Sequence, residues 1–118
     1  MKYSLTIRKE AELDINSAFE YYEIQRLGLG HDFLLCVEEA LSKIERNPTH
    51  YKIAHKELRR IAVRRFLYRV FYLMQNQQVI VTAVFHEGKT LLLPVLILEA
   101  RASKTKVTKL ELSNQTLL

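Results

Sequence analysis

An α+β domain is predicted by three features of the sequence. The chain opens with a period-two hydrophobic stretch. Two stretches of helical periodicity follow, joined by a short glycine-bearing loop, and then comes a run rich in β-branched and aromatic residues over 58–86. The expected order is an N-terminal strand, an antiparallel αα-hairpin, and a three-stranded antiparallel meander. With 118 residues the chain can build one core but not two. Its 48% hydrophobic and 26% charged content is that of an ordinary soluble globular protein.

Tyr3, Leu5 and Ile7 alternate with Ser4, Thr6 and Arg8, which marks a half-buried strand. From Lys9 the period changes. Ala11, Ile15, Ala18, Phe19 and Tyr22 recur at helical spacing, with Glu10, Glu12 and Asp14 near the N-terminus where the helix dipole favours anions. No strong N-cap side chain marks this start. Leu27-Gly28-Leu29-Gly30 ends the first helix, and a second begins at His31 or Asp32. Its apolar stripe is Phe33, Val37, Ala40, Leu41 and Ile44; Lys43 and Arg46 close it, and Asn47-Pro48 stops it. Thr49–Lys56 reads as a connector. In the late run, Ile61 and Val63 alternate with Arg60 and Arg64, which places Arg64 and Arg65 on opposite faces of a strand. Phe66-Leu67-Tyr68 forms a corner, Arg69–Leu73 a second strand, Gln75–Gln78 a polar hairpin turn and Val79–Phe85 a third strand. Phe19, Tyr22, Phe33, Val37, Phe71 and Val81 are assigned to the core.

The net charge of +5 is segregated along the chain. Residues 9–47 hold nine acidic groups against four basic ones, whereas residues 52–69 hold seven basic groups against Glu57 alone. A basic segment of this kind suits an anionic partner, either nucleic acid or an acidic protein surface. The blander reading is that several of its arginines pair with the acidic helices. Cys36, the single cysteine, cannot form an intramolecular disulfide and reads as a small buried hydrophobe in a reducing, cytoplasmic setting. The N-terminal stretch lacks the apolar core of a signal peptide, and no apolar run reaches the length of a membrane span. His50 and His55 have no cysteine nearby, so no metal site is expected. Three glycines do not make a phosphate-binding loop, and no cofactor is implied.

Ile15, Ala18, Tyr21-Tyr22, Gly28-Leu29-Gly30, Asn47-Pro48, Tyr51, Arg59-Arg60, Val63–Phe66, Tyr68, Val70–Tyr72 and Ala83–His86 occur in an order that resembles the RelE/ParE superfamily of type II toxin–antitoxin toxins, nearer its ParE-like branch. The resemblance covers residues 1–89, taken as the toxin domain, and leaves 90–118 as an atypical extension. It implies a toxin neutralised by a cognate antitoxin laid across its hydrophobic groove and basic sheet. The target it implies is DNA gyrase for ParE-like members, without nuclease activity, or messenger RNA on the ribosome for RelE-like members.

Under the nuclease alternative the catalytic candidates are Arg69, matching a phosphate-binding arginine, and His86 as a proton carrier near neutral pH. Arg60, Arg64, Arg65, Arg69 and Lys89 are the candidates for contact with target or antitoxin. The RelE-like pattern also has a tyrosine after the last strand, and this chain has none beyond Tyr72. ParE-like members carry a tryptophan there, and this chain has none. Leu67 replaces a proline common in that corner. The balance favours a gyrase inhibitor, attenuated if the extension has diverged, over an enzyme. A non-catalytic nucleic-acid-binding module is the third reading, because Phe66, Tyr68, Phe71 and Tyr72 interleave with the arginines as base-stacking aromatics do. Within the extension, Val95–Glu99 reads as an added edge strand, buried on the helices or against a second copy in a homo-oligomer.

Overall fold

The computed structural model describes residues 3–87 and Arg101. Contacts within the chain separate Met1–Gly88 from Lys89–Leu118. Lys89, the Val95–Glu99 strand and the proposed homo-oligomer contact lie outside the described residues.

The elements are β1 (Ser4–Ile7), α1 (Lys9–Gln25), α2 (Leu29–Arg46), β2 (Ile53–His55), β3 (Leu58–Ala62), β4 (Tyr68–Gln75) and β5 (Gln78–His86). They form an α+β fold in which the helical hairpin covers one face of a five-stranded sheet ordered β1-β5-β4-β3-β2. The β3-β4-β5 meander is antiparallel, as expected. Two features go beyond that expectation. β1 pairs with β5 in parallel, Leu5 opposite Val79, and the expected connector contains the short strand β2 against β3.

The hinge between the helices also differs. Gly28 alone precedes α2, at φ 90, a left-handed conformation that glycine adopts without a Cβ clash. Gly30 belongs to the first turn of α2. A Cβ there would lie 2.6 Å from the Phe19 carbonyl oxygen, so glycine is what lets the two helices approach. Glu23 of α1 fixes the hinge by accepting from the amides of Gly28 (3.0 Å) and Gly30 (2.9 Å). Together with His31 Nδ1 at 3.6 Å, these donors hold its carboxyl below the usual range, the Gly28 amide contributing most.

The core joins Ala11 and Ala18 of α1, Phe33, Cys36, Val37, Ala40 and Ile44 of α2, Ile61, Val70, Tyr72, Val79, Val81 and Val84 of the sheet, and Val63 just after β3. Phe33, Val37 and Val81 lie in it as assigned, and Tyr22 packs against it. Phe71 is buried but on the opposite face of the sheet, against Phe85. Phe19 is only partly buried, with its ring edge-on to His31. Buried Tyr72 donates its hydroxyl to the Pro48 carbonyl at 2.6 Å, tying the end of α2 to β4. Among the described residues no helix is long and apolar enough to cross a membrane.

Candidate functional site

The alternation of β4 sets the geometry. Val70, Tyr72 and Met74 meet the helices, so Arg69 and Phe71 lie on the other face. On β3, Ile61 meets the helices and Arg60 stands on the other face, directly across from Phe71. Arg60 and Arg69 are therefore diagonal neighbours on the sheet surface away from the helices. Among the described residues the guanidinium of Arg60 has no partner. Arg69 is paired with Glu87, its side chain 26% exposed, and its Nε is buried with no hydrogen-bond partner.

A β-bulge decides where His86 goes. Tyr72 pairs with Val81 and Phe71 with Ala83, which leaves Thr82 as an extra residue in β5. Val79 and Val81 before it, and Val84 after it, all face the helices. The parity of β5 thus reverses at Thr82. His86 pairs with Tyr68 on the helix side, ring edge-on at 5.2 Å. The two catalytic candidates, Arg69 and His86, stand on opposite faces of the sheet.

Arg64 and Arg65 do not alternate on a strand. They occupy the turn after β3, with Arg65 in the left-handed region at φ 73. Arg64 Nε donates to Glu39 Oε1 of α2 at 3.0 Å, and Lys43 shares that carboxylate at 3.5 Å. The Arg64 bond is the main reason the Glu39 carboxyl lies below its ordinary value. Arg65 reaches Asp32 at 4.0 Å and lies over the Phe66 ring, 5.7 Å from its centroid. Both remain open to solvent, with side chains 59% and 51% exposed. Arg59 is structural. It donates to the carbonyls of Thr49 and Tyr51 and braces the segment leading into β2.

Behind this turn, Tyr22, Phe33, Phe66 and Tyr68 form an aromatic cluster with centroids 4.9–6.0 Å apart, edge to face except for the tilted Tyr22–Phe33 pair. Burial, with the neighbouring tyrosines, raises the hydroxyl pKa of Tyr22 and Tyr68. Both are neutral hydroxyls at physiological pH. Phe66 and Tyr68 belong to this helix-side cluster, whereas Phe71 is on the other face and Tyr72 in the core. The four aromatics read as a base-stacking set therefore do not share one surface. Among the described residues no group of His, Cys, Asp or Glu is placed to hold a metal ion.

This arrangement presents two separate cation sets, one on a turn beside α2 and one on the far face of the sheet. The family model for the ParE toxin of the type II toxin–antitoxin system parDE matches residues 5–91. The chain belongs to the ParE toxin family. Structures of similar fold include the chromosomal ParDE system of P. aeruginosa, at TM-score 0.65 and 9% identity over 71% of this chain and 95% of that one. The RelBE2 toxin–antitoxin complex of Mycobacterium tuberculosis aligns at TM-score 0.51 and 18% identity, over 73% and 99%. A mutant of the E. coli toxin RelE in the free state aligns at TM-score 0.50 and 14% identity, over 89% and 98%. At these identities the likeness carries the fold. No curated protein sequence matches the chain. As a ParE-family toxin of the RelE/ParE superfamily, the chain keeps the helical hairpin and meander that its sequence resemblance implies.

Proposed function

We propose that this ParE-family toxin inhibits DNA gyrase, and that a cognate antitoxin neutralises it by covering its arginines. The observation that carries the choice of target is the separation of Arg69 from His86 across the sheet. Ribosome-dependent cleavage of message needs a cation on the scissile phosphate and a proton carrier beside the same ribose. A sheet between the two groups denies them a shared substrate. Inhibition of a large enzyme by surface contact requires no such convergence, only exposed and rigidly mounted side chains. Arg64 and Arg65, exposed and paired with Glu39 and Asp32 of α2, meet that need. The match of a ParE family model over 5–91 supports the same reading.

A second reading, cleavage of messenger RNA on the ribosome, draws on one observation. The unpartnered Nε of Arg69 is a donor suited to a phosphate oxygen. Two assays with purified toxin separate the readings: supercoiling of relaxed plasmid by gyrase, and cleavage of message on programmed ribosomes. The proposal expects loss of supercoiling with intact message. Cleaved message with 2′,3′-cyclic phosphate ends and normal supercoiling would overturn it.

A further inference from the structure

Glu87 stands just past β5, in a turn whose backbone is fixed, its amide donating to the Leu67 carbonyl at 2.7 Å. Its side chain is 39% exposed and reaches back to Arg69 near the start of β4. The grip is half of what an arginine and a carboxylate can make. Glu87 Oε1 accepts from Nη2 of Arg69 alone, while the buried Nε of the same guanidinium has no partner. A carboxylate seated along that edge would take both donors. An ion pair this open adds little to folding, so its chief effect is on the charge that Arg69 shows to a ligand.

The surroundings make that charge count. On the face of the sheet away from the helices, Arg69 lies across from Phe85 and Arg60 across from Phe71. The two phenyl rings, both buried, lie 5.8 Å apart. Diagonal neighbours on adjacent strands stand about 7–8 Å apart, a span that two arginine side chains can close on one ligand. Arg60 is half-buried and has no partner among the described residues. Two guanidinium groups beside apolar rings are thus served by one carboxylate, and a further anion is attracted more strongly there than in open water.

We propose that Arg60 and Arg69 form an oxyanion site for an acidic side chain of a partner protein, and that Glu87 is its built-in competitor, which the partner's carboxylate displaces. The site's present occupant is itself a carboxylate, so its geometry admits one. Phe71 and Phe85, being buried, offer no open ring on which a base could stack. Apolar surroundings of this kind suit an acidic residue carried among apolar ones. While Glu87 is seated, the apparent affinity of the site is lowered by the fraction of molecules in which it is open. Displacement needs only a side-chain rotation, since the Glu87 amide stays on Leu67. The proposal is separate from the choice between gyrase and message as target.

The test uses the full chain and a short fluorescein-labelled peptide in which glutamate and phenylalanine alternate, read by anisotropy at about 50 mM salt, where charges are weakly screened. Glu87→Gln should bind it roughly two- to fivefold tighter than the parent, the range that a partly exposed ion pair is worth. Glu45→Gln removes the same charge from an exposed position on α2 and should bind like the parent. Adding Arg60→Ala to Glu87→Gln should cancel the gain. Far-UV circular dichroism of Glu87→Gln should match that of the parent. The proposal is overturned if Glu87→Gln binds no tighter, if Glu45→Gln tightens binding equally, or if the gain survives Arg60→Ala. A Glu87→Gln protein that does not fold would make the pair structural and overturn it as well. A labelled single-stranded RNA that gains more from Glu87→Gln than the peptide does would place a phosphate in the site and overturn the carboxylate assignment.

Discussion

Gly28 and Gly30 are glycines for opposite reasons, and the difference is measurable. At Gly28 there is open space but a left-handed backbone, so alanine should cost about 1–2 kcal/mol. At Gly30 a Cβ would strike the Phe19 carbonyl at 2.6 Å. Overpacking of about 1–3 kcal/mol there exceeds the roughly 1 kcal/mol that alanine gains over glycine within a helix. Both variants should lower the urea midpoint, and a Gly30→Ala protein more stable than its parent would refute the close-approach argument. Arg65 poses the converse case, a side chain held where glycine would be at ease. For Arg65→Gly, relief of about 1–2 kcal/mol of strain offsets the added chain entropy of the unfolded state. Stability should change by less than about 1 kcal/mol, while inhibition of gyrase weakens. A large loss of stability would mean that the contacts with Phe66 and Asp32 are structural.

The elements show what could be read before the structure and what could not. Periodicity located β1 and both helices, polar composition the hairpin turn now seen at Asn76-Gln77, and the chemistry of a lone cysteine the burial of Cys36. It missed the three-residue β2, and local pattern cannot reveal that β1 lies beside β5, some seventy positions away. Parity failed at Thr82. An unbroken alternation from Val79 and Val81 would set His86 on the same face as Arg69; the bulge reverses it, and no local residue pattern announces it. The pairing of Arg64 and Arg65 with α2 likewise depends on how a turn docks on a helix.

The elements also fix how stability responds to pH. Glu23 and Glu39 have lowered pKa values in the folded state. Their contribution is present above the ordinary carboxylate range and is lost as pH falls through their folded values. Glu23→Gln and Glu39→Gln should each flatten the acid limb of the stability curve; an unchanged limb would contradict their roles at the hinge and the turn. Tyr72 governs the alkaline side, because burial pushes its hydroxyl up to about 12. The unfolded tyrosine ionises near 10, so stability falls as pH rises from about 10 to 12. Tyr72→Phe should reduce the alkaline loss, leaving the part owed to Tyr22 and Tyr68, and at neutral pH should cost about 1–2 kcal/mol by leaving the Pro48 carbonyl unpaired.

At the scale of the molecule, the segregation of charge along the sequence becomes a partial neutralisation in space. Arg59 is spent on backbone carbonyls, and Arg69 is held by Glu87. Arg64 and Arg65 touch acids of α2 yet stay open to solvent, and Arg60 has no partner among the described residues. The single cationic ribbon expected from the sequence is in fact two sets, and a partner acting through surface contact can use either. The most direct test is a supercoiling titration of gyrase with three proteins: the parent toxin, Arg60→Ala combined with Arg65→Ala, and His86→Ala. The parent and His86→Ala should inhibit at the same concentration, and the double arginine variant should need roughly tenfold more, the effect expected for loss of anchoring arginines at an interface. No inhibition by the parent, together with message cleavage on ribosomes that His86→Ala abolishes, would contradict the account.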